Sequence, residues 1–316
     1  MISSNIIEDR FRDNDSIDIF DRKKDIYKLF EYMDYLILIP KDNKYDYAFF
    51  FFSGFNENAG KYINLLKPFF ENFSKISKIK FKIILPMLKR VNRDIYPYSN
   101  FIKFKDDRYE YVQTWYKLKY EEISNLKVSL INDNNNDNKN IIFPLRTGFE
   151  TFEEIDDLVK NLILKELKKL GNQDKLIFSG FSQGGRYILY LLENLNIKPI
   201  FNICFKSPIF MYNIKNENNL IKNKISLKTW NYKCQDMDLL NKGDFHRNKF
   251  YLFYSINDKL LPFNEGLFSY ALIKNEFDLV KIKIDSGVKH SLDYNSLEYL
   301  KEILLREIIK KNTSKF

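Results

Sequence analysis

The strongest constraint on this 316-residue chain is the segment Leu176-Ile-Phe-Ser-Gly180-Phe181-Ser182-Gln183-Gly184-Gly185. An apolar run leads directly into G-x-S-x-G, and a helical pattern follows from Gln183 to about Leu195. A serine can stand on so sharp a strand-to-helix turn only if the residues two before and two after it lack side chains, which would meet across the turn. Gly180 and Gly184 meet that need. Ten glycines and 19 serines in 316 residues would produce this five-residue pattern by chance only about 0.02 times. The turn also commits its surroundings to a strand feeding a helix, the unit of a parallel sheet.

The rest of the chain repeats that unit. Short, nearly continuous apolar runs occupy Tyr35–Ile39, Tyr47–Phe52, Lys82–Leu85, Ile200–Phe205, Phe250–Tyr254 and Leu279–Ile284. Runs of this kind suit strands buried on both faces. Helical patterns lie between them, at Gly60 to about Lys78 and Ser291 to about Lys311. Another begins at Thr151, where Thr151 and Glu154 have capping-box spacing, and Gly171 marks its expected stop. The expected class is α/β, with a mostly parallel central sheet and helices on both faces. Residues 1–33 read as an N-terminal extension and 34–316 as the domain. The polar stretch 209–248 reads as an insertion or cap, and the Asn/Asp tract Asn132–Asn140 as a surface loop.

Composition narrows the setting. The net charge is +9, but the lysines are interleaved with acids along the chain, as on a solvated surface. No nucleic-acid motif and no zinc-ligand spacing appear. Cys204 and Cys234 are too few for a disulfide framework, which points to a reducing compartment. Cys204 lies in an apolar run and reads as a buried thiol. The N-terminus lacks a basic-then-apolar leader, and no apolar stretch reaches membrane-spanning length. A cytoplasmic location is expected.

A serine nucleophile needs a base. The two histidines are His246 and His290. His246 sits in a polar segment before a strand, whereas His290 follows the last strand and precedes the final helix, so His290 is the expected base. Asp258, on the loop after Phe250–Tyr254, is the expected acid that orients the imidazole. Asp285 lies too near His290 in sequence for that pairing, and Asp293 reads as a helix first-turn acid. An oxyanion hole requires two amides. Gln183, next to the serine, supplies one. Ser53-Gly54-Phe55-Asn56-Glu57, after another apolar run, offers the second at Phe55. This set describes a serine hydrolase with the α/β-hydrolase fold.

Gly180-Phe-Ser-Gln-Gly-Gly185 resembles the acyl-protein thioesterase and carboxylesterase family. Ser53 to Glu57 resembles that family's His-Gly-Leu-Gly-Asp loop, and Gln113-Thr-Trp-Tyr116 its Ser-Trp-Phe-Asp segment. Asn257-Asp258 with Pro262 resembles its acid loop, and Gly287 to Ser291 its histidine loop. The chain departs from the pattern at Ser53, at Asn56-Glu57, at Lys117 and at Lys206-Ser207-Pro208, which stands where the family has Leu-Ser-Gly. The resemblance implies hydrolysis of carboxylic esters or thioesters through an acyl-enzyme, without metal or cofactor. The implied substrates carry long acyl chains, as S-acylated proteins or lysophospholipids do, with Trp115 lining the acyl groove. The basic balance of the chain points to peripheral contact with an anionic membrane. The alternatives are an esterase for small soluble esters and a non-catalytic binding protein on the same scaffold.

Overall fold

The computed structural model describes residues 26–92, 111–121, 145–207, 247–258, 260–261, 266–267, 270, 273–274, 277–287 and 289–309. His246, Cys234, the Asn132–Asn140 tract and nearly all of 209–248 lie outside these residues.

In chain order the strands are β1 (Tyr27–Glu31), β2 (Tyr35–Pro40), β3 (Tyr47–Phe52), β4 (Phe81–Pro86), β5 (Lys89–Asn92), β6 (Tyr111–Thr114), β7 (Tyr116–Glu121), β8 (Leu145–Thr151), β9 (Leu176–Phe181), β10 (Phe201–Phe205), β11 (Lys249–Ser255) and β12 (Leu279–Asp285). The helices are α1 (Ala59–Ser77), α2 (Glu153–Leu170), α3 (Gln183–Leu195) and α4 (Tyr294–Leu304), the last continuing into a π-helical turn, Leu305–Ile309. Among the described residues, eight strands form one sheet in the order β1-β2-β4-β3-β9-β10-β11-β12. Its first two junctions are antiparallel and the other five parallel. Strands β5 with β6, and β7 with β8, form separate antiparallel pairs.

Strand β3, Tyr-Ala-Phe-Phe-Phe-Phe, explains the layering. Successive side chains point to opposite faces. Ala48, Phe50 and Phe52 pack with Ile155, Val159 and Ile163 of α2 and Tyr187, Ile188 and Leu191 of α3. Phe49 and Phe51 pack with Tyr62, Leu66 and Phe70 of α1 and Tyr299, Leu300 and Ile303 of α4. Both faces are dry, so a polar–apolar alternation has no place in this strand.

Two expectations need correction. The sheet begins before residue 34: Tyr27 to Glu31 pair with Leu36 to Pro40, so the segment expected as extension supplies the edge strand. The Thr151–Glu154 capping box is absent. Thr151 ends β8 and its hydroxyl donates to Tyr190 Oη at 3.2 Å, while Phe152 takes the N-cap position without a side-chain bond. Gly171 does end α2, in the left-handed region at φ +69°. Helix α4 starts at Asp293, whose carboxylate accepts from Ser296 N at 2.9 Å in a reciprocal capping box.

Candidate active site

The elbow is built as its glycines require. Ser182 has φ +51° and ψ −118°, a conformation that strains any residue with a side chain. A Cβ on Gly180 would come within 2.5 Å of the Gly184 carbonyl carbon and of Gly185 N, and one on Gly184 would overlap the carbonyl oxygen of Phe52. Helix α3 therefore starts directly over the end of β3. Ser182 N donates to Phe205 O at 2.9 Å, which anchors the turn to β10.

The structure brings Ser182, His290 and Asp258 into one hydrogen-bonded chain. His290 Nε2 is 2.9 Å from Ser182 Oγ, and His290 Nδ1 is 2.7 Å from Asp258 Oδ2. The other carboxylate oxygen of Asp258 accepts from the amides of Leu260 at 2.9 Å and Leu261 at 3.0 Å. Burial by itself would push the Asp258 carboxyl up, but the bonds from His290, Leu261 and Leu260 outweigh it and hold the group below the usual carboxylate range. An ionised carboxylate on Nδ1 keeps the proton there and leaves the Nε2 lone pair facing the serine hydroxyl. The Phe181 ring lies 4.9 Å from the imidazole and flanks it. Asp285 and Asp293 are engaged elsewhere, in bonds to Gly287 N and at the α4 cap.

The loop after β3 is fixed from three sides. Trp115 Nε1 donates to Ser53 O at 2.8 Å, and Asn56 N donates to Gln113 O at 2.7 Å. Glu57 accepts from Gly54 N at 3.2 Å and from the hydroxyl of Tyr62. Phe55 sits half-buried in this loop, and Gly54 faces the Phe181 ring closely enough that an added Cβ would meet it at 2.9 Å. Gln183 opens α3. Its buried side chain is spent on the β6–β7 corner, accepting from Trp115 N at 3.2 Å and donating to Thr114 Oγ1 at 2.8 Å.

Trp115 does not line a groove. It is fully buried, stacked on Tyr187 at 4.8 Å between centroids and edge-on to Phe52 at 5.5 Å. Its indole N–H needs a buried acceptor and finds Ser53 O, so the residue braces the loop from behind. The Cys204 thiol is likewise buried, and desolvation pushes its pKa up, away from thiolate chemistry.

Lys206 belongs to the site's surroundings although no sequence motif selects it. Its ammonium donates to Lys289 O, Ser291 O and Asp293 Oδ2, at 2.8, 3.0 and 3.1 Å. The one sequence signal was a lysine where the resembled family carries leucine.

A strained serine turn at the C-terminal edge of a mostly parallel sheet, with helices on both faces, is the α/β-hydrolase fold. Within that fold the chain is similar to Arabidopsis thaliana SOBER1 (11% identity, TM-score 0.54, covering 83% of this chain and 99% of that one). It is also similar to esterase PE8 (15% identity, TM-score 0.53, 86% and 97%) and to Zea mays acyl-protein thioesterase 2 (13% identity, TM-score 0.50, 87% and 99%). At these identities the likeness is one of fold. No protein-family model matches the sequence, and no curated protein matches it. Among the described residues, no helix is long and apolar enough to cross a membrane.

Proposed function

We propose that this chain is a serine hydrolase that cleaves carboxylic esters or thioesters through an acyl-enzyme. The observation that carries the reading is the continuous chain from Asp258 through His290 to Ser182 Oγ, with the serine held in a strained backbone. Ser182 Oγ attacks the acyl carbonyl while His290 Nε2 takes its proton. Asp258 orients the ring and stabilises the imidazolium. The Gln183 and Phe55 amides receive the oxyanion. His290 then protonates the departing alkoxide or thiolate, and a water deprotonated by the same nitrogen releases the acid.

The likeness to a thioesterase and an esterase in fold supports acyl donors such as S-acylated proteins or carboxylic esters. The motif resemblance adds lysophospholipids, with the cationic chain meeting an anionic membrane from the cytoplasmic side. The test is hydrolysis of p-nitrophenyl esters and acyl-CoA thioesters from acetyl to palmitoyl, with labelling by a fluorophosphonate. Wild-type turnover and labelling, both abolished in Ser182→Ala, are expected. Silence of the wild type in both assays would sink the reading and favour a binding protein on a hydrolase scaffold.

A further inference from the structure

We propose that Lys206 is a positioning residue for this site: its buried ammonium grips the turn that carries His290 and so aims Nε2 at Ser182. The proposal rests on the reading of Ser182 and His290 as nucleophile and base.

An ammonium has three N–H donors and no acceptor. In Lys206 the three are matched by three oxygens, and the side chain is 0% exposed. Two of those oxygens are the carbonyls of Lys289 and Ser291, the residues on either side of His290. Lys289 O also accepts from Ser291 N at 3.0 Å, which closes a tight turn centred on the histidine. The third oxygen belongs to Asp293, the cap of α4, so one charge ties the turn to the start of the helix behind it.

The lysine's own backbone is equally committed. Lys206 N donates to Phe253 O at 2.7 Å, and the preceding carbonyl, Phe205 O, accepts from Ser182 N at 2.9 Å. Adjacent residues thus hold the nucleophile by a peptide group and the base by a side chain. Lys206 pays for this placement with φ +47°, in the left-handed region that lysine avoids. A lysine placed only to neutralise Asp293 would account for one of the three bonds. The two carbonyls flanking His290 account for the rest.

The experiment compares Lys206→Met, similar in length but uncharged, with Lys206→Gln, which keeps donors. Readouts are kcat and KM on the p-nitrophenyl ester that the wild type turns over best, thermal melting, and the low-field proton resonance of His290 Nδ1. We expect Lys206→Met to melt cooperatively, to lose about 10²-fold in kcat with KM within about twofold, and to shift or broaden the Nδ1 resonance. Lys206→Gln should fall between it and the wild type. A folded Lys206→Met with wild-type kcat overturns the proposal, as does a loss spread over kcat and KM with the Nδ1 resonance unmoved. Should Lys206→Met fail to fold, Lys206→Gln decides: lowered kcat at constant KM supports the grip, and wild-type kcat overturns it. Should the wild type neither hydrolyse esters nor take up fluorophosphonate, the hydrolase reading fails separately. The Nδ1 resonance then tests the grip alone, and no change in either variant overturns it.

Discussion

The α-carbon of Gly184 faces the carbonyl oxygen of Phe52 so closely that a methyl group at 184 would overlap it and approach Ser53 O to 2.7 Å. Neither oxygen is the free end of a side chain. In Gly184→Ala, therefore, α3 must lift from β3 or the loop after β3 must move. Overpacking of this kind costs about 1–3 kcal/mol. Because either shift changes the spacing between the Gln183 amide and the loop that carries Phe55, esterase activity should fall by at least about 10²-fold, the cost of losing one oxyanion donor. Melting curves and p-nitrophenyl ester assays on the one variant check both effects. Unchanged activity would remove the loop after β3 from the site.

Asp258→Asn should preserve the shape of the acid loop while ending the preference for a proton on His290 Nδ1. Loss of that preference elsewhere costs about 10⁴-fold in turnover with substrate binding kept. Steady-state kinetics should show the loss in kcat, with KM close to wild type. An equal loss in a variant that also fails to bind substrate would point to collapse of the Leu260–Leu261 turn instead.

Trp115→Ala should behave as a core truncation, destabilising by about 3–5 kcal/mol. The order of preference among acyl chain lengths should stay as in the wild type, because the ring is enclosed by Phe52, Tyr187 and the loop it braces. A change in chain-length preference at unchanged melting temperature would return Trp115 to a substrate groove.

Acid should destabilise the fold through three carboxylates. Burial alone would raise Asp258, Asp293 and Glu307. Their hydrogen bonds, from His290, Ser296 and Lys249 respectively among others, instead hold all three below the usual carboxylate range. A carboxyl depressed in the folded state contributes stability that is whole above its unfolded value, about 4, and is lost as pH falls through the folded value. The melting temperature should be flat from about pH 7 to about pH 5 and drop steeply below about pH 4. Glu307→Gln should shallow that drop, and a melting temperature that rises on acidification would contradict it.

The elbow and the parallel strands are legible in the sequence for one physical reason. A strand covered on both faces has no solvent side, so Tyr47–Phe52 and Phe250–Tyr254 stand out as unbroken apolar runs. Strand β1 carries no such run: Tyr-Lys-Leu-Phe-Glu is an edge strand with charges near each end. The pairs β5–β6 and β7–β8 are short and mix apolar with basic and polar residues, so no unbroken apolar run marks them. The meeting of Ser182, Asp258 and His290 could be anticipated because each follows a strand at the same sheet edge. Burial of Trp115 is decided by Tyr187 and Gln183, which lie on a helix far along the chain. The three oxygens around Lys206 Nζ come from residues more than 80 positions away, and no local pattern encodes them.

The four consecutive phenylalanines of β3 have one more consequence. Phe50 and Phe52 belong to one apolar layer and Phe49 and Phe51 to the other, so a single backbone segment is common property of both. Neither layer can melt while β3 stays ordered, and β3 cannot leave without opening both. The sheet and helices α1 to α4 should therefore come apart as one cooperative unit, in a single calorimetric transition, with amide exchange in β3 and its neighbour β9 reporting the global unfolding free energy.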